Sequence, residues 1–287
     1  MTEILQYPFM QRALIAGIII GFISPLIGVF LVVRRLSMIA DALSHVTLSG
    51  VAAGLLLQKE FSFFSGINPL SVGMTFAVIG SLFVERVRKI YQTYQELAIP
   101  IILASGIGLG VVLISAADGF NVDVASYLFG NILTVSSEEL GWIIGVGVLV
   151  VIVVYLFYKE FFSLSFDEEN AVLTGIPRRW LHLLFIVLVA LVITASIRVV
   201  GILLVSGLIT LPVAASLQIA RSFKQAIWLS ILFAQIAVLC GFVAAYHLNW
   251  ASGGTIVLVS VLILLVVNGV RYLRKMWFKQ KPTTRII

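Results

Sequence analysis

An aspartate and a histidine four residues apart, inside an otherwise apolar stretch, are the residues of this chain whose types and spacing suggest chemistry. The stretch reads Arg34-Arg35-Leu36-Ser37-Met38-Ile39-Ala40-Asp41-Ala42-Leu43-Ser44-His45, and helical periodicity places residues i and i+4 on one face. With Asp41 set at zero and about 100° per residue, His45 falls near 40°, Ser49 near 80°, Ser37 near 320° and Ser44 near 300°, a single polar stripe. Gly50 and Gly54 fall near 180° and 220°, a pair of small residues on the opposite face suited to close packing against another helix. A carboxylate inside a membrane span costs about 2.5–3.5 kcal/mol on insertion scales and marks an ion or proton path. Carboxylate oxygen with imidazole nitrogen suits zinc and is acceptable to manganese or iron. Two other readings remain open: a proton relay through the same pair, or Asp41 salt-bridged to Arg34 or Arg35 with His45 hydrogen-bonded in packing. Two ligands leave a coordination shell incomplete, so further donors would have to come from water, backbone or another span.

Other polar residues are scarcer and read more plainly. His182, beside Trp180 at the start of an apolar run, is expected to be structural. His247 near Asn249 and Trp250 belongs to an aromatic belt and could capture metal at an outer mouth. Arg198 interrupts an apolar stretch of about 40 residues; its expected behaviour is to snorkel to the interface, with closure of an outer gate as the alternative. In Ser165–Arg179, SFDEENAVLTGIPRR, Ser165 and Glu168 have capping-box spacing with Asp167 and Glu169 in the first turn. Gly175 and Pro177 end that helix. The segment is either a solvated connector or a docking knob for a partner. Asp123–Leu133 is amphipathic and too short to span, hence re-entrant or interfacial. Gly201–Ser216, with Ser206, Thr210 and Pro212, reads as a broken helix lining a cavity.

The elements that must position these residues follow from composition. The 287 residues are 61% hydrophobic and only 11% charged, against about 45–50% and about 25% in soluble domains. That composition excludes a soluble enzyme or nucleic-acid binder. Apolar runs fall at about 13–33, 37–58, 66–84, 98–116, 140–158, 180–197, 199–220, 225–246 and 252–270, each near the roughly 20 residues that a bilayer core demands. The expected fold is therefore an all-α polytopic membrane protein of eight to nine spans, the ninth a broken or re-entrant helix in the eight-span version. It forms a single domain over 1–287, with its longest cytoplasmic loop at about 159–179.

With the loop at 34–36 placed in the cytoplasm, 16 of the 19 Lys and Arg lie inside, leaving Arg12, Lys59 and Arg198 outside. The positive-inside rule then puts the amino terminus out and the carboxyl terminus in. Cys240 is the one cysteine, which excludes a disulfide framework within one chain. The start lacks the basic segment of a cleavable signal. No GxxxxGK[ST] phosphate loop is present, so the chain cannot power itself with ATP. Ser105 and Ser206 have no His at matched depth, which argues against an intramembrane hydrolase.

RRLSMIADALSHVTLSGVAAG, DVASYLFGNILTVSSEEL, FDEENAVLTGIP and VGILLVSGLITLPVAAS, in this order, resemble the permease subunits of zinc/manganese-type ABC importers over about residues 7–275. The resemblance implies a type II ABC importer permease fold and a homodimer with the path at its interface. It also implies cytoplasmic ATP-binding subunits docked through Phe166, Asp167, Glu168, Glu169, Gly175 and Pro177, and an extracellular metal-binding protein that delivers the ion. Asp41 and His45 match the family's intramembrane metal-coordinating pair. The metal is cargo and no cofactor is permanently bound. The partners are these proteins and the lipid bilayer, with no nucleic acid, and the location is a bacterial plasma membrane. YLFGNIL preceded by Asp123, and FMQRA, are most similar to the zinc permeases of the ZnuB/AdcB kind. Manganese members commonly carry proline where this chain has Ser49, so the resemblance implies zinc first and manganese second. A proton-coupled carrier is the rival from another transport class.

Overall fold

The computed structural model of the chain describes residues 7–279 apart from 62, 64–65, 92, 118–121 and 132–134, and among the described residues it contains helices and loops only. The Asp123 side chain, residues 132–134 of the amphipathic segment and the basic tail beyond Lys279 lie outside what is described.

Helix boundaries follow local chemistry. Pro8 starts α1 (Pro8–Val33), its fixed φ suiting the first turn. Beyond a short turn come α2 (Met38–Glu60) and α3 (Pro69–Ile90), the latter capped by the Asn68 side chain, which accepts from Leu70 N–H. Next are α4 (Ala98–Ala116) and the short α5 (Val122–Phe129). A reciprocal capping box opens α6 (Ser137–Leu156): Ser136 Oγ accepts from Glu139 N–H, and the Glu139 carboxylate accepts from Ser136 N–H. Two short helices, α7 (Tyr158–Phe166) and α8 (Glu168–Leu173), lead into α9 (Arg178–Val200). The chain closes with α10 (Val205–Leu217), α11 (Phe223–Leu248) and α12 (Ser252–Lys279).

Among the described residues eight helices are long and apolar enough to cross a bilayer, and the chain is a multi-pass membrane protein. The traverse after α9 is made by a helix of 13 residues, about 20 Å long and thus shorter than a bilayer core of about 30 Å. The break lies further along the chain than the charge pattern suggests. α9 continues through Arg198 to Val200, and the turn is made at Gly201, whose φ of 87° suits a residue without a side chain. α10 runs on from there toward the Arg34 end of the bundle. Its start adjoins the end of α9, while Gln218 just past its end meets Arg271, far along α12 from Ser252, which packs near Val199. At the amino-terminal side, Arg12 donates to Ser137 Oγ at 2.9 Å, so α1 begins at the same end as Glu139 and Arg198. α1 thus begins at this Arg198 end, and α12 ends toward the opposite, Arg34 end.

α1 and α9 form the centre, 72% and 78% buried over their apolar windows, whereas α3, α4 and α12 are buried by less than a third. The outer helices thus keep apolar surface for lipid or another protein. α2 lies between α3 and α4, with α9 and α10 behind it.

Candidate metal site and docking face

Asp41 and His45 stand three and seven residues past Met38, about 4.5 and 10.5 Å along the axis of α2. This places both residues in the half of α2 that begins at the Arg34 end. The first-turn position favours Asp41 through the positive end of the helix dipole. Both side chains are half-buried. His45 Nδ1 is buried and has no hydrogen-bond partner, and a nitrogen left so in an apolar bundle costs free energy unless something fills the place of the bond.

The alternative pairing of Asp41 with an arginine is not what forms. The Arg34 guanidinium lies over the Phe185 ring, 5.2 Å from its centroid, and among the described residues Asp41 makes no ion pair with Arg34 or Arg35. Nor does any third His, Cys, Asp or Glu among the described residues gather with the pair to form a metal-binding cluster. The described residues therefore offer one carboxylate and one imidazole here.

The polar stripe on α2 is narrower than the helical wheel suggests. Ser44 is buried and donates to Ala40 O at 2.7 Å. Ser49 is fully buried and donates to Gly106 O on α4 at 2.6 Å, with His45 O at 3.2 Å. These hydroxyls serve helix packing, whereas Asp41 and His45 remain on the open part of the face. The glycine face behaves as its spacing suggests. A Cβ on Gly50 would stand 2.6 Å from Phe76 Cβ, and one on Gly54 would stand 2.9 Å from Pro69 Cα, so both glycines let α3 approach closely. On the other side Gly106 admits α4, since a Cβ there would lie 3.0 Å from Val46 N. α2 is thereby held between two neighbours at the level of His45.

At the opposite end Arg198 does not snorkel. Its Nε donates to Glu139 Oε1 at 2.6 Å and its Nη2 to the Tyr127 hydroxyl at 2.9 Å, while the guanidinium lies 4.2 Å from the Tyr127 ring centroid. The Glu139 side chain is 2% exposed and that of Arg198 17%. Burial requires the charge to be paired, and it is paired across α5, α6 and α9. Neither charge nor periodicity marks Glu139 in the sequence. Its signal was Ser136-x-x-Glu139 immediately before an apolar run, the capping-box spacing. His247 stays apart from this cluster, exposed in the last turn of α11 with its ring 5.5 Å from that of Tyr246. His182 has the structural setting expected of it, with Nε2 3.0 Å from Glu85 Oε2 and 3.2 Å from Arg88 Nη1.

In the 159–179 loop the capping residue differs from expectation. Asp167 caps α8, its Oδ1 accepting from Asn170 N–H, while Ser165 Oγ donates back to Phe161 O inside α7. A serine within a helical turn finds a carbonyl four residues back more easily than an amide ahead. Gly175, at φ 87°, ends α8 with Gly175 N–H on Val172 O and Ile176 N–H on Ala171 O; Pro177 then precedes α9. Glu168 pairs with Arg178, and Glu169, Val172 and Leu173 are exposed, Leu173 at 85%. The Phe166 ring centroid lies 4.8 Å from that of Phe162, tilted, and 5.6 Å from that of Phe223, edge to face. Phe162 also meets Phe223, which meets Phe30; Phe30 in turn meets Phe161 and Phe185. This aromatic chain ties α7 to α1, α9 and α11, so α7 and α8 cannot shift without pressing on the central helices.

The ABC 3 transport family model matches residues 6–270. A Treponema pallidum protein named "Probable metal transport system membrane protein" is 34% identical over 92% of this chain and 96% of its own. The "Manganese import system permease protein ScaB" of Streptococcus gordonii is 35% identical over 91% of each chain. Among solved structures, PsaBC from Streptococcus pneumoniae in complex with Fab is similar with a TM-score of 0.80 and 30% identity, over 93% of this chain and 94% of that one.

Proposed function

This chain belongs to the ABC 3 transport family, and on that premise we propose that it is the membrane permease of an ATP-driven importer that carries a divalent transition metal past Asp41 and His45. The observation that carries the reading is the pair on α2: an imidazole nitrogen buried without a partner, one turn from a carboxylate that, among the described residues, no arginine pairs with. One oxygen and one nitrogen donor hold an ion weakly, as a transported ion requires, since a closed site would trap it. The remaining donors come from water or from a second copy of the chain, whose presence makes the permease a homodimer with the path at its interface.

The Arg34 end faces the cytoplasm, in keeping with the positive-inside rule, and the amino terminus faces outward. Separate cytoplasmic ATP-binding subunits dock on the 159–179 loop. There the exposed Val172 and Leu173, with Glu169, offer an apolar and acidic knob, and the aromatic chain from Phe166 carries its movement to α1, α9 and α11. At the outer end, where an extracellular metal-binding protein delivers the ion, the Arg198–Glu139–Tyr127 cluster beside the Gly201 turn closes the path. The setting is a bacterial plasma membrane.

Manganese is the better-supported cargo. The Streptococcus gordonii relative is named for manganese import. Ser49, the residue that favoured zinc, is committed to the Gly106 and His45 carbonyls and has no hydroxyl free to select an ion. Zinc remains the second reading because the Asp–His donor set accepts it. Uptake of radioactive manganese and zinc by metal-starved cells expressing the chain with its ATPase and binding protein tests both. Asp41→Ala and His45→Ala are expected to abolish uptake at matched assembly. Normal uptake by both variants would overturn the assignment of the pair, and uptake of zinc alone would overturn the cargo.

A further inference from the structure

A cavity of about 700 Å³ opens at the Arg34 end between the α1–α2 turn, the end of α3, α7–α8 and the start of α9. Its charged walls are Arg34, Arg35, Arg88, Lys89, Arg178 and Arg179 against Glu85 and Glu168, with apolar contributions from Val33, Leu36, Leu164 and Phe166. Both carboxylates are already engaged, Glu168 by Arg178 and Glu85 by His182. Six cations thus face two carboxylates, and the cavity keeps an excess of positive charge.

Two further features show that the basic wall is built into the fold. Arg34 Nη1 is buried without a hydrogen-bond partner while its guanidinium lies against Phe185. Burial lowers the Arg34 pKa from its ordinary value, opposed by Glu168 and reinforced by Arg88 and Arg178. The α1–α2 turn also keeps an arginine where a glycine is favoured. Arg35 N–H meets Val32 O, Leu36 N–H meets Leu31 O, and Arg35 stands at φ 57°. This is the same helix-ending motif that Gly175 completes after α8. Placing arginine in the left-handed position carries a conformational cost, and here it sets a second cation on the rim of the cavity.

We propose that this cavity binds a phosphate group, and that its cations and apolar walls suit the headgroup of an anionic phospholipid or a soluble phosphate of similar chemistry. Guanidinium groups match phosphate oxygens in geometry and charge, and basic pockets between membrane helices on the cytoplasmic side bind acidic headgroups. A divalent metal would be repelled from the same walls, so the cavity is distinct in chemistry from the Asp41–His45 pair. Because α8 and Glu168 form one wall, occupancy would brace the 159–179 loop against α1 and α3.

Native mass spectrometry of the purified full chain, released from nanodiscs containing phosphatidylglycerol or phosphatidylcholine, tests the lipid source. Thermal denaturation with millimolar inorganic phosphate against chloride at equal ionic strength tests the soluble one. The expected result is phosphatidylglycerol retained where phosphatidylcholine is lost, or protection by phosphate. Either effect should weaken about five-fold for each cation removed in Arg34→Gln and in the exposed pair Arg35→Gln and Lys89→Gln. The rim variants keep the test valid if Arg34→Gln fails to fold. Retention of phosphatidylglycerol alone assigns the site to lipid, and phosphate protection alone assigns it to a soluble anion. Equal retention of both lipids with no phosphate protection, or binding unchanged in the rim variants, would overturn the proposal.

Discussion

Neutralising Glu139 while Arg198 keeps its charge should be among the most damaging single changes this bundle can suffer. The two side chains are 2% and 17% exposed and meet at 2.6 Å, so each charge has exchanged water for the other. Removing one partner of such a buried pair leaves the other charge uncompensated and costs about 3–5 kcal/mol, whereas removing both is far cheaper. Glu139→Gln isolates the charge, because glutamine still fits a capping box and preserves side-chain volume. Arg198→Met keeps the aliphatic length beside Tyr127. Each single variant should lose about 3–5 kcal/mol, and the double variant should lose less than the sum by at least about 2 kcal/mol. Ser136→Ala, which removes the cap but not the ion pair, should cost about 1 kcal/mol. Equilibrium unfolding of the chain in mixed micelles, followed by the fluorescence of Trp142 one turn along α6, reads all four variants. If the two single losses add to within about 0.5 kcal/mol, or if Glu139→Gln costs no more than Ser136→Ala, the pair is not the clamp that the geometry implies.

Gly253→Ala should destabilise strongly and Gly254→Ala hardly at all. A Cβ on Gly253 would stand 1.8 Å from Val200 O and 2.6 Å from Phe129 O, while one on Gly254 meets nothing; parallel thermal melts in detergent compare the two. Ser49→Ala removes the bond from α2 to Gly106 O and should cost about 0.6 kcal/mol, the average for such interhelical bonds in membranes, measured by the same unfolding assay. Changing Glu168 and Glu169 to lysine should leave the fold intact, because the Glu168–Arg178 pair is about half exposed on both sides and such pairs contribute at most about 1 kcal/mol. The same change should uncouple ATP hydrolysis by the docked subunits from metal uptake, and unchanged metal-dependent hydrolysis would refute the docking role.

The membrane class, the long helices and the shared face of Asp41 and His45 were readable from the chain alone. Each depends on quantities that run along the sequence: the transfer free energy of 20-residue windows and the angular step of a helix. The end of α8 at Gly175 was readable for the same reason, since a left-handed turn is a local demand. Even local rules reached their limit where two of them competed. Ser165 could cap forward or bond backward, and the α7 turn preceding it decided for Phe161 O. The charge of Arg198 points to a break there, yet the helix continues to Val200 because Glu139, 59 residues away in sequence, supplies the counter-charge. Ser49 lies close to the wheel position of His45 but is consumed by α4, through a carbonyl 57 residues distant. The basic cavity is assembled from four separate segments, none of which is unusual by itself. Periodicity fixes the direction in which a side chain leaves its helix, but only packing determines whether it meets lipid, a partner or an open path.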